Sequence, residues 1–256
     1  MFGDIASGKP HSELPPAIPV WSRALGSWNV SISRRPFEPA ELEHHYDRTA
    51  DVWQSKVEKL GFVDAYHQLI AFALRDRQLS DTGLPLQVMD AGAGTGAMSQ
   101  AFSDLVSCDV DLLGVDISTQ MLNRARRTVH KPNVSMQTLK ADLSALPLED
   151  NTFDVILMAH VVEHLADPVP VLAELQRVLK PGGMMICCIT RRSRFGRYIQ
   201  LVWRTHQVDA PTALSWMQRA GFTSSRMVPL DKRTGTRACS LGYVAKKELQ
   251  LSAQVG

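Results

Sequence analysis

An apolar run that breaks into Gly92, Gly94 and Gly96 and resumes as a helix-like pattern leaves few folds open to this chain. In VMDAGAGTGAMSQ, residues 88–100, closely spaced glycines allow a tight strand-to-helix turn and a close approach of backbone to a ligand. Gly92, Gly94 and Ala97 also satisfy G-x-G-x-x-G/A, and Asp116 follows at about the twenty-residue distance of a ribose-binding acid. Taken alone, the loop reads as a nicotinamide or flavin site.

The surrounding pattern extends the strand-turn-helix unit into a sheet. Short apolar runs at 86–90, 111–116, 134–142, 153–160 and 184–190 alternate with amphipathic stretches at 99–105, 118–129 and 169–179. Strands separated by helical crossovers predict a parallel sheet. Lys180-Pro181-Gly182-Gly183 stops the last of these helices in the expected order of base, proline and glycine. The end of the chain changes character: helix-like 211–220 precedes strand-like 222–228 and 237–246, which predicts a terminal β-hairpin. At the other end, Pro10, Pro15, Pro16, Pro19, Pro36 and Pro39 predict an irregular arm over 1–40. Val57, Leu60, Phe62, Tyr66, Leu69, Ile70 and Phe72 recur at roughly helical spacing, predicting a cap of two helices around Gly61 over 41–80. The main domain is expected over 81–247 and a tail over 248–256.

Composition decides less. The 256 residues, 45% hydrophobic and 21% charged, suffice for one sizeable core, and a net charge of +2 gives no general reason to expect nucleic acid. Cys108, Cys187, Cys188 and Cys239 lack C-x-x-C spacing, so reduced thiols are expected. Neither a leader peptide nor a spanning helix is indicated, and a cytoplasmic location is the expectation.

Charge separates the candidate ligands of the glycine loop. Asp90 ends the first strand beside the loop, where a carboxylate works against a pyrophosphate but suits a ligand that carries an ammonium. S-adenosylmethionine carries both an ammonium and a carboxylate, and its ribose still calls for Asp116.

On these motifs the chain resembles the class I S-adenosylmethionine-dependent methyltransferases, particularly the small-molecule group that includes ubiquinone and menaquinone C-methyltransferases. The resemblance runs from about Tyr46 to Phe222, through VMDAGAGTGAMSQ, LLGVDISTQML, KADLSALPLEDNTFDVILMAHVVEHLADP and LKPGG. It implies an α/β, Rossmann-like, doubly wound sheet of seven mostly parallel strands, with an antiparallel terminal hairpin and an N-terminal helical cap. Gly92, Gly94 and Gly96 would let the backbone approach the methionine part of the cofactor, with Asp90 near its ammonium. Asp116 would hold the ribose, with Ile117 and Met121 in the stretch contacting adenosine. Asp142 would face the adenine amine, Leu143 would offer backbone contact, and Ala159 and His160 would lie beside the reacting end.

A base matters for a hydroxyl or carbon acceptor, and His160 and His164 lead the candidates, followed by Glu163 and His206, with Tyr46 as a lid or orienting group. HVVEH also spells H-x-x-E-H, a zinc-peptidase motif, but His160 falls in a strand-like run, which argues against metal. In TRRSRFGRYIQLVWRTH, residues 190–206, five arginines accompany apolar residues at helical spacing, a pattern suited to peripheral membrane contact or to closing over a substrate. The expected function is methyl transfer to a small hydrophobic or aromatic acceptor, quinone- or lipid-like. The rival readings are O- or N-methylation of another metabolite, noncatalytic S-adenosylmethionine binding, and an NAD(P)-linked oxidoreductase. Oligomeric state is left open.

Overall fold

The computed structural model describes residues 18–34, 41, 62–75, 83–190, 208–228, 230 and 240–249, with the backbone alone at 18–22 and 32–34. Within the N-terminal stretch expected to be irregular, β1 (Ile18–Leu25) and β2 (Trp28–Arg34) form an antiparallel hairpin. Two facts reconcile this with the prolines. The turn sits at Gly26, whose φ of 61° suits a tight hairpin, and the pairing is irregular between Pro19 and Trp21, where proline can give no ladder hydrogen bond.

Helix α1 (Phe62–Leu74) buries Phe62, Ala65, Tyr66, Leu69 and Ile70, the spacing of a single helical face. The helix expected before Gly61 lies outside the described residues. Beyond α1 the predicted alternation holds: β3 (Leu86–Ala91), α2 (Ala97–Leu105), β4 (Val110–Asp116), α3 (Thr119–Thr128), β5 (Val134–Lys140), β6 (Phe153–Ala159), α4 (Val169–Val178) and β7 (Leu179–Thr190). The chain ends in α5 (Ala210–Arg219), β8 (Ser224–Val228) and β9 (Ser240–Lys246).

These strands make one seven-stranded sheet in the order β5-β4-β3-β6-β7-β9-β8, parallel except for β9, which runs antiparallel to both β7 and β8. The central strands are apolar on both faces because both are covered. Val155 and Leu157 of β6 and Met184, Ile186 and Cys188 of β7 share a core with α1 and α2. Their neighbours Ile156, Met158, Met185 and Cys187 share the opposite core with α4 and α5. Helix α4 stops at Val178, ahead of Lys180-Pro181-Gly182-Gly183, which lies inside β7, where the register to β6 shifts between Phe153 and Val155.

Candidate active site

Sheet winding reverses between β3 and β6, which puts the crevice at the carboxyl ends of β4, β3, β6 and β7. The glycine loop leaves β3 there. Gly92 (φ 73°) lies so close to Val161 that a Cβ would overlap its side chain, and a Cβ at Gly96 (φ 83°) would stand 2.9 Å from the Ala125 Cα. Above Gly94 the space is open, with nothing nearer than the Gly92 carbonyl at 4.0 Å.

The loop holds itself by its own N–H groups. Those of Gly92 and Ala93 donate to the Val115 carbonyl at 2.8 and 2.9 Å, that of Gly96 to the Ala93 carbonyl at 2.9 Å, and that of Gly94 to Asp116 Oδ2 at 2.9 Å. A dinucleotide loop turns such donors toward its phosphates; here four are spent within the protein.

Asp90 is buried, and Ser99 Oγ donates to its Oδ2 at 2.5 Å. Burial pushes its pKa up from 3.8 to about 6, the Asp116 charge adds to the push, and the Ser99 bond opposes it. The other oxygen of Asp116, Oδ1, accepts the Ser118 N–H at 2.9 Å. Asp116 thus braces the turn on both sides while ending the strand beside Asp90. Of the residues expected near adenosine, Ile117 is half-buried and Met121 buried, its N–H bonded to Ser118 Oγ at 3.1 Å. Asp142 is exposed, with Oδ1 accepting the Ser144 N–H at 2.8 Å, and Leu143 is buried.

Past β6, half-buried Ala159 precedes His160, which adopts φ 58°, a left-handed backbone uncommon outside glycine. Its N–H bonds the Cys188 carbonyl at 2.8 Å. His160 Nδ1 lies 3.2 Å from Glu163 Oε1 and 2.9 Å from Thr190 Oγ1, and Nε2 lies 3.8 Å from Cys188 Sγ. Glu163 is turned inward from the 3₁₀ turn Val162–His164, and its Oε1 also accepts the Thr190 N–H at 2.9 Å. Burial disfavours charge on both partners, and it is outweighed at His160 by the Cys188 sulfur first and Glu163 second, and at Glu163 by His160 first. The histidine is thus held well above its ordinary value, while His160, His164 and Thr190 hold the carboxyl well below the usual range. At neutral pH the pair is imidazolium and carboxylate. His164 is half-buried beside it. Tyr46, His206 and the arginine-rich stretch beyond Thr190 lie outside the described residues.

The structure adds residues that pattern alone did not mark. Tyr66 of α1 reads in sequence as one more core position, but its ring lies 6.2 Å from that of His160, and the Phe62 ring meets His160 edge-on at 4.9 Å. Burial, with the Cys188, Asp90 and Glu163 charges, pushes the Tyr66 phenol well above its ordinary value, so it remains protonated. Thr190 and Cys188 lie against His160, and Ser99 bonds Asp90. Among the described residues, no group of three or more histidine, cysteine, aspartate or glutamate side chains is arranged to hold a metal ion, and no helix is long and apolar enough to cross a membrane.

Known proteins carry the same architecture. A family profile described as a methyltransferase domain matches residues 89–187. A demethylmenaquinone methyltransferase of Renibacterium salmoninarum is 29% identical over 174 residues, covering 66% of this chain and 65% of that protein. One of Staphylococcus aureus is 32% identical over 134 residues, covering 50% and 55%. The chain therefore spans less than two thirds of these relatives' length. Among solved structures, an S-adenosylmethionine-dependent methyltransferase of Thermotoga maritima, described as a possible histamine N-methyltransferase, superposes with a TM-score of 0.62 at 21% identity, covering 81% of this chain and 100% of that one. At such identity the likeness speaks for the fold. With the acid-and-glycine loop and the reversed sheet order already in place, the profile match identifies residues 89–187 as a methyltransferase domain.

Proposed function

We propose that this domain binds S-adenosylmethionine and directs its methyl group to a small hydrophobic or aromatic acceptor. The observation that carries the reading is the glycine loop, whose N–H groups at 92, 93, 94 and 96 are consumed internally while Asp90 and Asp116 flank it. A pyrophosphate would meet two carboxylates there; an ammonium and a ribose would meet acceptors. These carboxylates suit the cofactor as acceptors: Asp90 would meet its ammonium, Asp116 its ribose hydroxyls and Asp142 its adenine amine.

Bound S-adenosylmethionine supplies a methyl group on a sulfonium, which leaves a neutral thioether on transfer. The protein's part is alignment and exclusion of water, and proximity accounts for roughly 7 kcal/mol or more of barrier lowering. In this reading His160 works as a charged, oriented wall of the acceptor region, since its two nitrogens face Glu163, Thr190 and Cys188. His164, half-buried beside it, keeps the role of base for acceptors that must lose a proton. Helix α1, whose Phe62 and Tyr66 rings lie against His160, covers the acceptor region. A quinone-like acceptor is supported by the demethylmenaquinone methyltransferases among the relatives.

Calorimetric titration with S-adenosylmethionine, S-adenosylhomocysteine and NADH tests the assignment. Saturable binding of the sulfur compounds and none of NADH is expected. Binding of NADH alone would return the loop to the dinucleotide class.

A further inference from the structure

Loop 141–152 carries Asp142 and Leu143, and helix α4 grips it from one side. Arg177 and Glu174, one turn apart, form a two-pronged pair: Nε donates to Oε2 at 2.8 Å and Nη2 to Oε1 at 2.7 Å. The same guanidinium donates to the loop carbonyls of Leu148 at 2.8 Å and Leu146 at 3.2 Å, and to Asp150 Oδ1 at 2.5 Å. Glu174 Oε1 in turn accepts the Leu146 N–H at 2.8 Å. Leu146 is thus held by both its N–H and its carbonyl. The far end of the loop is stitched to the end of the helix, Asn151 N–H to the Arg177 carbonyl at 3.1 Å and Thr152 N–H to the Val178 carbonyl at 2.8 Å.

We propose that Arg177, acting with Glu174, is a positioning residue that sets the cofactor site's selectivity for adenine by holding loop 141–152 in place. The inference rests on the S-adenosylmethionine reading above. Asp142 is exposed and tied locally to the Ser144 N–H, so its placement depends on where the next segment, Leu143 to Leu146, is seated. Leu143 and Leu146 are buried in the core that includes Leu172 and Leu175 of α4, but apolar packing is non-directional, whereas the guanidinium and carboxylate address named backbone atoms of the loop. A side chain that only stabilised the fold would weaken every ligand alike; one that aims Asp142 weakens the ligand whose 6-amino group Asp142 reads.

The test compares S-adenosylhomocysteine with S-inosylhomocysteine, which carries an oxygen in place of that amine. Wild-type protein is expected to prefer the adenosyl compound by about tenfold or more, the scale of one hydrogen bond to a charged group. Arg177→Gln should bring that ratio close to one while changing inosyl affinity little, and Arg177→Lys, which keeps one charged donor, should fall between. Hydrogen exchange without ligand should show faster exchange at the Leu146 amide in Arg177→Gln. A proportionate loss for both ligands, or an unchanged ratio in either variant, overturns the proposal. So does an unchanged Leu146 amide, which is read without any ligand. Failure of wild-type protein to bind either compound instead overturns the cofactor reading, and the exchange measurement keeps the two apart.

Discussion

Gly92 and Val161 are packed so that no side chain fits between them: the loop after β3 passes directly against the residue that follows His160 after β6. Gly92→Ala should therefore destabilise the protein through the left-handed φ, at about 1–2 kcal/mol, and further through overlap. Adding Val161→Ala should relieve the overlap and leave the backbone cost. Denaturant unfolding of the two single variants and the pair checks this, and no recovery in the double variant would show that the contact is not what excludes a side chain.

Asp116 should behave as both ligand group and brace. Asp116→Ala removes the acceptor for the Gly94 and Ser118 N–H groups, so it should lower thermal stability as well as cofactor affinity. Asp116→Asn keeps one carbonyl oxygen and should lose less stability. Side-by-side thermal melts and calorimetry separate the two losses; equal melts for all three proteins would count against the bracing role.

Cofactor affinity should weaken on acidification through the Asp90 titration. Its folded pKa is raised to about 6, so the carboxylate an ammonium needs is lost as pH falls below that value, by about tenfold at one unit lower. The same raised pKa works the other way on the empty protein, since ionised buried Asp90 disfavours folding and acidification toward pH 4 relieves it. Asp90→Asn should weaken binding at pH 7 and flatten the pH dependence between 7 and 5. A slope retained in that variant would assign the titration to another group.

The His160–Glu163 pair should shape stability at both ends of the pH range. Glu163, held below its ordinary 4.5, contributes stability present above that value and lost as pH falls below it. His160, held above its ordinary 6.5, contributes stability that is full below that value and lost as pH rises toward its raised pKa. Glu163→Gln should cost about 3 kcal/mol or more at pH 6, because it leaves a buried imidazolium without its counter-charge and sets an amide where the buried Oε2 has no hydrogen-bond partner. The melting temperature of the variant should then vary less between pH 6.5 and 9 than that of the wild type. An unaltered alkaline slope would falsify the ion-pair assignment.

Much of this architecture is legible in the residues. The runs at 86–90, 153–160 and 184–190 read as strands because strands covered on both faces need apolar side chains at successive positions, and all are in the sheet save His160, which follows the end of β6. Asp90, Asp116 and the glycines stand where the motif put them, at strand ends and in the turn, because a tight strand-to-helix turn is a local requirement written in neighbouring residues. The hairpin at 18–34 was not legible: its prolines outweighed the alternation and the Gly26 turn, and an exposed two-stranded ribbon leaves little hydrophobic pattern to read.

Burial, partner and protonation belong to a different range of contacts. In sequence, Glu163 and His164 read as candidate bases, with nothing to say which way either faces. Folding brings Thr190, 27 residues away, against Glu163 and turns that carboxylate inward toward His160. Tyr66 looks like core until α1 is laid over the ends of β6 and β7, and Arg177 looks like a surface cation until the loop is seated against it 31 residues from Leu146. Periodicity and turn chemistry act between near neighbours, so the order of residues settles the strands, the turn and its acids. The charge on a buried group and the aim of a loop depend on what distant segments bring within a few ångströms, and these are set when the sheet closes and its helices pack.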